Sequence, residues 1–412
     1  MNVTTVTDGI FRLSANMKDI LFEGLWPIPN GIAMNSYIVK GGNKTAIVDG
    51  VCGWDGVPET LFEQFKQINI DPESIDYVIV NHMEPDHCGW IENFRKIRPN
   101  FTVVTSKKAI PLMKGFFDID ESSIMPVGDG DTLDLGDGRV LAFAEIPNVH
   151  WPETIATFDT KSGTLMPCDA FGSFGAIDDA PYDDQLTQEQ IDFFEREATR
   201  YYANIVAAFS QPVLQAIKKA SPLPIKIIAP GHGIVWRKDP MKIVKDFVRY
   251  ANYQKGPCEN EVTVIWGSMY GNTELGVKPA IEALEAEGVK VRVHRVPEDS
   301  WGDILTSAWS STGLVLAMPT YEYKMFPPMY AVLDEMCKKK FLNRKVFRFG
   351  SYGWSGGAQK ELDELMARHK PGWEFVEPVE FMGTPREKDF AAIRKGCTEL
   401  AQRVKKAVAS KS

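Results

Sequence analysis

The stretch Asn81-His82-Met83-Glu84-Pro85-Asp86-His87 follows directly on the apolar run Tyr77-Val78-Ile79-Val80. His82, Glu84, Asp86 and His87 therefore leave one strand end within six residues, a density of ligands suited to metal ions. One loop cannot enclose two ions, so a chain that uses this cluster must fold so that distant turns arrive at the same place. Three turns qualify: His150 in Val149-His150-Trp151-Pro152, Asp169 in Cys168-Asp169-Ala170, and His232 in Pro230-Gly231-His232-Gly233. Each stands where a strand gives way to a turn. Asp169 is the natural bridge, because one carboxylate can donate an oxygen to each of two ions about 3.5 to 4 Å apart.

The chain has six histidines, and four of them lie in this loop and these turns. A single histidine beside glycine is ordinarily a hydrogen-bonded turn residue, but seven candidate ligands at four strand ends favour a metal site. His294, on a strand, and His369, near a helix end, read as structural or surface residues. Cys88 and Cys168 adjoin candidate ligands, yet neighbours along a chain point in different directions, and both are left outside the set.

The polar stretch from Ala251 to Asn260, broken by Gly256 and Pro257, divides the chain into domains 1-254 and 255-412. In the first, strands come as runs: Ser36 to Val39 and Thr45 to Asp49 around a Gly41-Gly42-Asn43 turn, then Val103 to Thr105, Thr132 to Leu135 and Val140 to Ala144. Such runs with a few helices imply stacked mixed sheets. A helix is expected from Thr187 to Ser210, opened by Thr187 and Gln190 at capping-box spacing, with Phe193, Phe194, Ala198, Tyr201, Ile205 and Phe209 on its buried face.

The second domain alternates instead. Strands at Val262 to Trp266, Val289 to Val293, Leu314 to Ala317 and Val346 to Gly350 are separated by helical segments, the first from Thr273 to Glu287, which implies a parallel sheet covered on both faces. The last helix is expected to open with Thr384 as N-cap, Pro385 in its first position and Glu387 closing a capping box.

Between the first strand and helix of that domain lies Gly267-Ser268-Met269-Tyr270-Gly271-Asn272-Thr273. Ser268, Tyr270, Asn272 and Thr273 offer hydroxyl and amide donors, Gly271 permits close backbone approach, Met269 lies within the same turn, and a helix N-terminus stands behind: what a phosphate needs. Neither the Walker nor the dinucleotide glycine pattern is present, which disfavours a nucleoside triphosphate or a dinucleotide. Two further strand ends, Pro319-Thr320-Tyr321-Glu322 and Ser351-Tyr352-Gly353-Trp354-Ser355, add aromatic rings and exposed backbone where open parallel sheets bind ligands.

Composition narrows the partners. With 46 basic against 55 acidic residues the formal charge is -9, the wrong sign for a chain whose affinity rests on phosphate backbones, so nucleic acid is not an expected partner. No apolar run approaches the ~18 residues that span a bilayer. The opening residues lack a basic region followed by an apolar one, and a cytoplasmic, membrane-independent protein is expected. Six scattered cysteines without a Cys-x-x-Cys pair fit reduced thiols and exclude a fused rubredoxin-type iron site.

His-x-Glu-x-Asp-His followed by separate His, Asp and His resembles the metallo-β-lactamase-like domain of flavodiiron proteins (A-type flavoproteins), and the Ser/Thr/Asn-rich loop at 267–273 resembles the FMN phosphate loop of flavodoxins. The resemblance covers nearly the whole chain. It implies an α/β and α+β architecture: an N-terminal metallo-β-lactamase-like αββα sandwich followed by a flavodoxin-like doubly wound parallel sheet. Hydrolases of the first fold typically carry His-x-His-x-Asp-His and zinc. Here Glu84 replaces the second histidine, a hard anionic donor that suits iron cycling between oxidation states.

By resemblance, His82, Glu84, His150 and bridging Asp169 hold one iron, and Asp86, His87, Asp169 and His232 the other, His87 being a ligand in only some members. FMN occupies the second domain. Reduction of dioxygen to water takes four electrons, two from a diferrous pair and two from reduced flavin, whereas coupling two nitric oxide molecules to nitrous oxide takes two; the family implies one or both reactions. It also implies a head-to-tail homodimer, alone or as a dimer of dimers, and an external electron donor: rubredoxin, a rubredoxin reductase or a reduced deazaflavin. One departure stands out. Many members carry an aromatic-His-Gly segment whose histidine lines the substrate pocket, and here Phe22-Glu23-Gly24 takes that place, so Glu23 or another residue must fill it. Two alternatives share parts of the pattern: a zinc hydrolase fused to a flavodoxin-like module, which Glu84 opposes, and a non-catalytic electron carrier, which leaves seven metal-ligand residues unexplained.

Overall fold

The computed structural model describes residues 3–410. They form two compact units: the first holds the chain as far as Tyr202 together with Phe209–Val248, and the second holds Ala203–Ala208 and the chain from Arg249 onward.

The first unit is built on two sheets. The larger has seven strands in the order Thr4–Thr7, Ile10–Met17, Ile32–Lys40, Thr45–Val48, Tyr77–Ile79, Thr102–Ser106 and Ile124–Val127. Its first four strands pair antiparallel and the rest parallel. The smaller runs Thr132–Asp134, Val140–Glu145, Ile155–Asp159, Thr164–Met166 and Ile227–Ile228, antiparallel except for its last pair. Val39, Val48, Ile79 and Val104 of one sheet share a core with Leu141, Phe143, Ile155 and Met166 of the other. Period-two alternation thus buries the inner face of each sheet against its neighbour, the arrangement of a sandwich. The strand Ile32–Lys40 is buried at every residue but the last, so its outer side is covered as well.

The expected single helix from Thr187 to Ser210 is interrupted. Gln188–Tyr201 is α-helical behind the Thr187/Gln190 capping box; a wider turn, Tyr202–Val206, and a tight one, Ala207–Phe209, follow before a new helix runs Ser210–Ala220. Pro212 supplies the reason. It has no N–H for the carbonyl of Ala208, so it is accepted only in the first turn of a new helix. The side-chain amide of Gln254 instead donates to the carbonyls of Ala207 and Ala208.

The second unit is a parallel sheet in the spatial order Lys290–Arg295, Glu259–Trp266, Ser311–Ala317, Lys345–Tyr352, with Glu374–Phe375 and Val379–Met382 both pairing with the last. Numbered by sequence this is 2-1-3-4-5, the doubly wound order of flavodoxin-like folds, with its switch point between Glu259–Trp266 and Ser311–Ala317. Val262, Val264, Val315, Phe347 and Phe349 bury one face against the helices Val277–Ala286 and Glu387–Ala409. The alternate positions Ile265, Leu314, Leu316 and Val346 are equally buried, as a sheet covered on both faces requires.

Two helix starts differ from expectation. After Thr273 the chain makes one tight turn, Glu274–Gly276, before the α-helix begins at Val277. The last helix opens at Glu387, where the carboxylate of Asp389 accepts from the Arg386 backbone N–H. Thr384 is not its cap because its hydroxyl donates to the side-chain oxygen of Asn272, in the glycine-containing loop.

Candidate metal centre and cofactor cavity

Asn81 anchors the ligand-bearing segment of the first unit. Its backbone N–H and side-chain amide donate to the carboxylate of buried Asp49, at 2.8 and 3.0 Å, and its side-chain oxygen accepts from Thr157 at 2.7 Å. Beyond it Pro85 opens a single helical turn, Pro85–Cys88, that turns Asp86 and His87 inward after Glu84. The turn carrying His232 is held by Asn35, whose amide donates to the carbonyls of Pro230 and Gly233, and by the Tyr37 hydroxyl, which donates to Pro230. Gly231 is required there, since a Cβ atom would lie 2.7 Å from Cε1 of His87.

These anchors bring all seven sequence-identified candidates together around Asp169. One oxygen, Oδ2, lies 3.3 Å from Nε2 of His82 and 3.1 Å from Nε2 of His150, and both nitrogens approach Oε2 of Glu84, at 3.1 and 2.9 Å. The other, Oδ1, lies 2.7 Å from Nε2 of His87 and 3.3 Å from Nε2 of His232, while Oδ2 of Asp86 lies 3.6 and 3.2 Å from the same two nitrogens. The four histidines and Asp169 are buried, and the side chains of Glu84 and Asp86 are 12% exposed. Two nests thus share one carboxylate.

The donor set fits cations. Among the described residues, both oxygens of Asp86, Nε2 of His232 and Nδ1 of His87 are buried without a hydrogen-bond partner, a cost that ligation removes for the atoms that turn into the nests. Without a cation, protons hold the cluster together. Burial pulls His150 and His232 toward lower pKa, but the close approach of Asp169 and of Glu84 or Asp86 outweighs it and raises them to about 9 and about 10. Burial raises Glu84 and Asp169, and the surrounding histidines more than reverse it, leaving both carboxyls well below their ordinary range.

Four neighbours were not singled out from sequence as site residues. Glu153 accepts from Nδ1 of His82 at 3.2 Å, which orients that ring. The ring of Tyr201 stands 5.7 Å from that of His232, with its buried hydroxyl lacking a hydrogen-bond partner among the described residues. Phe22 packs edge-on to His232 at 5.8 Å. Cys168, left out of the ligand set, has its sulfur among the atoms grouped with His87 and Asp169. Glu23 is exposed, and its carboxylate accepts from the Trp26 indole at 2.9 Å; Phe22 is the residue of that segment in ring contact with the nest.

In the second unit a cavity of about 360 Å³ opens at the sheet's switch point. Of the residues expected to bind a cofactor, all but Gly271 and Thr273 line it: Ser268, Met269, Tyr270 and Asn272 from the first loop, Pro319, Thr320, Tyr321 and Glu322 from the second, and Ser351, Tyr352, Gly353, Trp354 and Ser355 from the third. Thr273 lies behind the wall. Its hydroxyl is 3.0 Å from that of Ser351 and accepts from the Ser351 backbone N–H, tying two loops together. Gly271, at φ +86°, donates its N–H to the Ser268 hydroxyl, a turn that favours glycine. Tyr323 and Gly383 complete the lining. The rings of Tyr323 and Trp354 stand 5.6 Å apart, and the 76% exposure of Trp354 leaves an aromatic face free for a flat ligand.

Residues 32–233 match the ODP family beta lactamase model. Among curated proteins, the anaerobic nitric oxide reductase flavorubredoxin of Aeromonas hydrophila is 32% identical over 342 residues, 82% of this chain and 66% of the relative. That of Vibrio vulnificus is 31% identical over 387 residues, 92% of this chain and 74% of the relative. The chain thus spans just under two thirds of the Aeromonas protein. Among solved structures, the rubredoxin oxygen:oxidoreductase of Desulfovibrio gigas superposes with a TM-score of 0.92 at 25% identity, covering 99% of this chain and 100% of that one. A variant flavo di-iron protein from Thermotoga maritima gives 0.88 at 27% identity, with 98% of each chain covered.

Proposed function

Because the chain belongs to the flavodiiron protein family, we propose that it is an oxidoreductase reducing dioxygen to water, nitric oxide to nitrous oxide, or both, at a non-heme diiron centre fed through FMN by an external donor. The observation that carries this is the division of Asp169: Oδ2 belongs to the nest of His82, Glu84 and His150, and Oδ1 to that of Asp86, His87 and His232. A shared carboxylate between two sets of histidine and carboxylate donors suits a pair of ions that must change oxidation state without leaving. When bound, the two irons and the flavin supply the electrons for either gas.

The chain's own groups do the rest. Four imidazoles turn Nε2 inward; His82 is held in that tautomer by Glu153, and His232 by the Ala33 carbonyl, 3.1 Å from its Nδ1. Three carboxylates offset most of the charge of two divalent ions, which favours the oxidised as well as the reduced pair. Phe22 and Tyr201 wall the His232 side, and Tyr201 keeps an O–H donor there, since burial first, and then the nearby carboxylates, raise its pKa far above the ordinary value.

FMN is placed in the cavity of Ser268, Thr320, Tyr321, Tyr352 and Trp354, its phosphate in the loop 267–273. Domain 1-254 then carries the irons and domain 255-412 the flavin, and a head-to-tail homodimer brings the flavin of one chain to the irons of the next. Rubredoxin, a rubredoxin reductase or a reduced deazaflavin serves as donor, and the protein is placed in the cytoplasm. Anaerobic stopped flow on reduced, iron- and FMN-loaded protein, mixed separately with dioxygen and with nitric oxide, tests the proposal. Rapid reoxidation with sustained turnover by at least one gas is expected. Purified, cofactor-loaded protein inert to both gases overturns it.

A further inference from the structure

The first unit holds a second cavity, of about 400 Å³, between the outer face of its five-stranded sheet and the helix Ser210–Ala220. Its existence follows from side-chain size. Ala144 and Ala156 are cross-strand partners, and Ala142 pairs with Phe158, so three alanines stand where a packed sheet face ordinarily carries branched residues. Ala216 and Ala220 of the helix line the opposite wall, and small residues facing small residues leave space. The lining is almost wholly apolar. Its polar rim is the exposed pair Lys219 and Asp129, 2.8 Å apart, with the Lys219 ammonium also donating to the Glu145 carbonyl.

The position of the inner wall matters most. Val149 and Ala170 line the cavity; the first precedes His150 and the second follows Asp169, so two loops that carry nest residues each expose a neighbouring residue to this space. The cavity is open to solvent at its polar rim, and its apolar walls suit xenon or other small apolar guests.

We propose that this cavity admits and concentrates the uncharged diatomic substrate beside the metal nests, a role that rests on the gas-reducing function proposed above. A neutral diatomic gas gains by leaving water for an apolar wall, whereas ions do not, so the cavity feeds gas toward His150 and Asp169. Its alanines are then a functional choice, since larger residues would pack the sheet better at the cost of the reservoir.

Two measurements decide it. Crystals of the metal-free protein under xenon pressure are expected to show xenon between Ala144, Ala156 and Ala216; a cavity without xenon overturns the proposal, whatever the activity of the loaded protein. Ala142→Phe and Ala144→Leu, each checked for folding by thermal melting, are expected to exclude xenon and, in loaded protein, to lower kcat/KM for the gas several-fold while kcat at saturating gas is unchanged. Folded variants that exclude xenon yet keep the wild-type kcat/KM overturn the role. Wild-type loaded protein inert to both gases would instead remove the reaction on which the proposal depends, an outcome distinct from the other two.

Discussion

Oε1 of Glu153 lies 3.2 Å from Nδ1 of His82 and 3.0 Å from the backbone nitrogen of Met83, so one buried carboxylate orients both the first histidine of the cluster and the backbone that follows it. A carboxylate on the outer nitrogen fixes the tautomer that presents Nε2 to a metal and makes that nitrogen a better donor. Glu153→Ala is therefore expected to weaken iron binding by about 10- to 100-fold. Anaerobic ferrous titration of chelator-stripped protein measures it, and unchanged affinity would show that His82 needs no such support.

Asp169 is the single residue both nests require. Asp169→Ala is expected to bring bound iron below one per chain and to abolish turnover with either gas while FMN remains bound, because the flavin cavity belongs to the other unit. Iron analysis, flavin absorbance and gas consumption on one preparation check the three statements together. Retained turnover would refute the bridging role.

The seven candidate ligands were legible because strand ends are legible: an apolar run that stops at His-x-Glu-x-Asp-His announces its chemistry, and each remaining ligand stood at a similar break. Glu153 was hidden because its partner is 71 residues away and nothing local distinguishes a buried carboxylate from a surface one. Tyr201 was read only as core, which is correct as to burial; helical spacing cannot tell a packing ring from one that also reaches a site. In the second unit three loops were visible as strand ends rich in hydroxyl and aromatic residues, whereas Gly383 belongs to a fourth loop without an aromatic ring. Thr384 looked like a helix cap because Thr-Pro-x-Glu has that pattern. Its hydroxyl was instead taken by Asn272, a long-range competitor that no local pattern reveals.

The loop-to-loop tie at Thr273 makes flavin binding sensitive to a residue behind the cavity wall. Thr273→Val keeps the shape but leaves the Ser351 N–H and hydroxyl without their buried partner, a loss of about 1–3 kcal/mol. If that loss falls on the bound form, the FMN dissociation constant rises roughly 5- to 150-fold. Quenching of flavin fluorescence on titration reads it directly, and a wild-type constant would separate Thr273 from flavin binding.

Metal-free protein is expected to lose stability in alkali. His150 and His232 are raised to about 9 and about 10 in the fold, against about 6.5 in an unfolded chain. The folded state therefore binds more protons, and the contribution is fully present below about pH 6.5 and lost as pH rises through 9 to 10. The slope is up to about 1.4 kcal/mol per pH unit for each histidine. Urea midpoints of stripped protein should fall from pH 7 to pH 10, and iron-loaded protein, whose imidazoles are held by metal rather than protons, should fall less. Equal slopes for the two forms would show that the histidines are not the proton sites.

Tyr201 separates stability from chemistry. Its hydroxyl is buried with no hydrogen-bond partner among the described residues, so the fold derives nothing from it and bears the cost of its desolvation. Its ring, by contrast, packs on Phe174 at 5.2 Å and on His232 at 5.7 Å. Tyr201→Phe keeps the ring and should leave the melting temperature unchanged or slightly higher. If the hydroxyl donates a proton or a hydrogen bond to the reacting gas, the same variant lowers kcat by about 10²-fold or more, the usual scale of a lost proton donor, with a reduced solvent isotope effect once protons arrive by another path. A variant that melts higher and turns over as wild type would limit Tyr201 to walling the pocket.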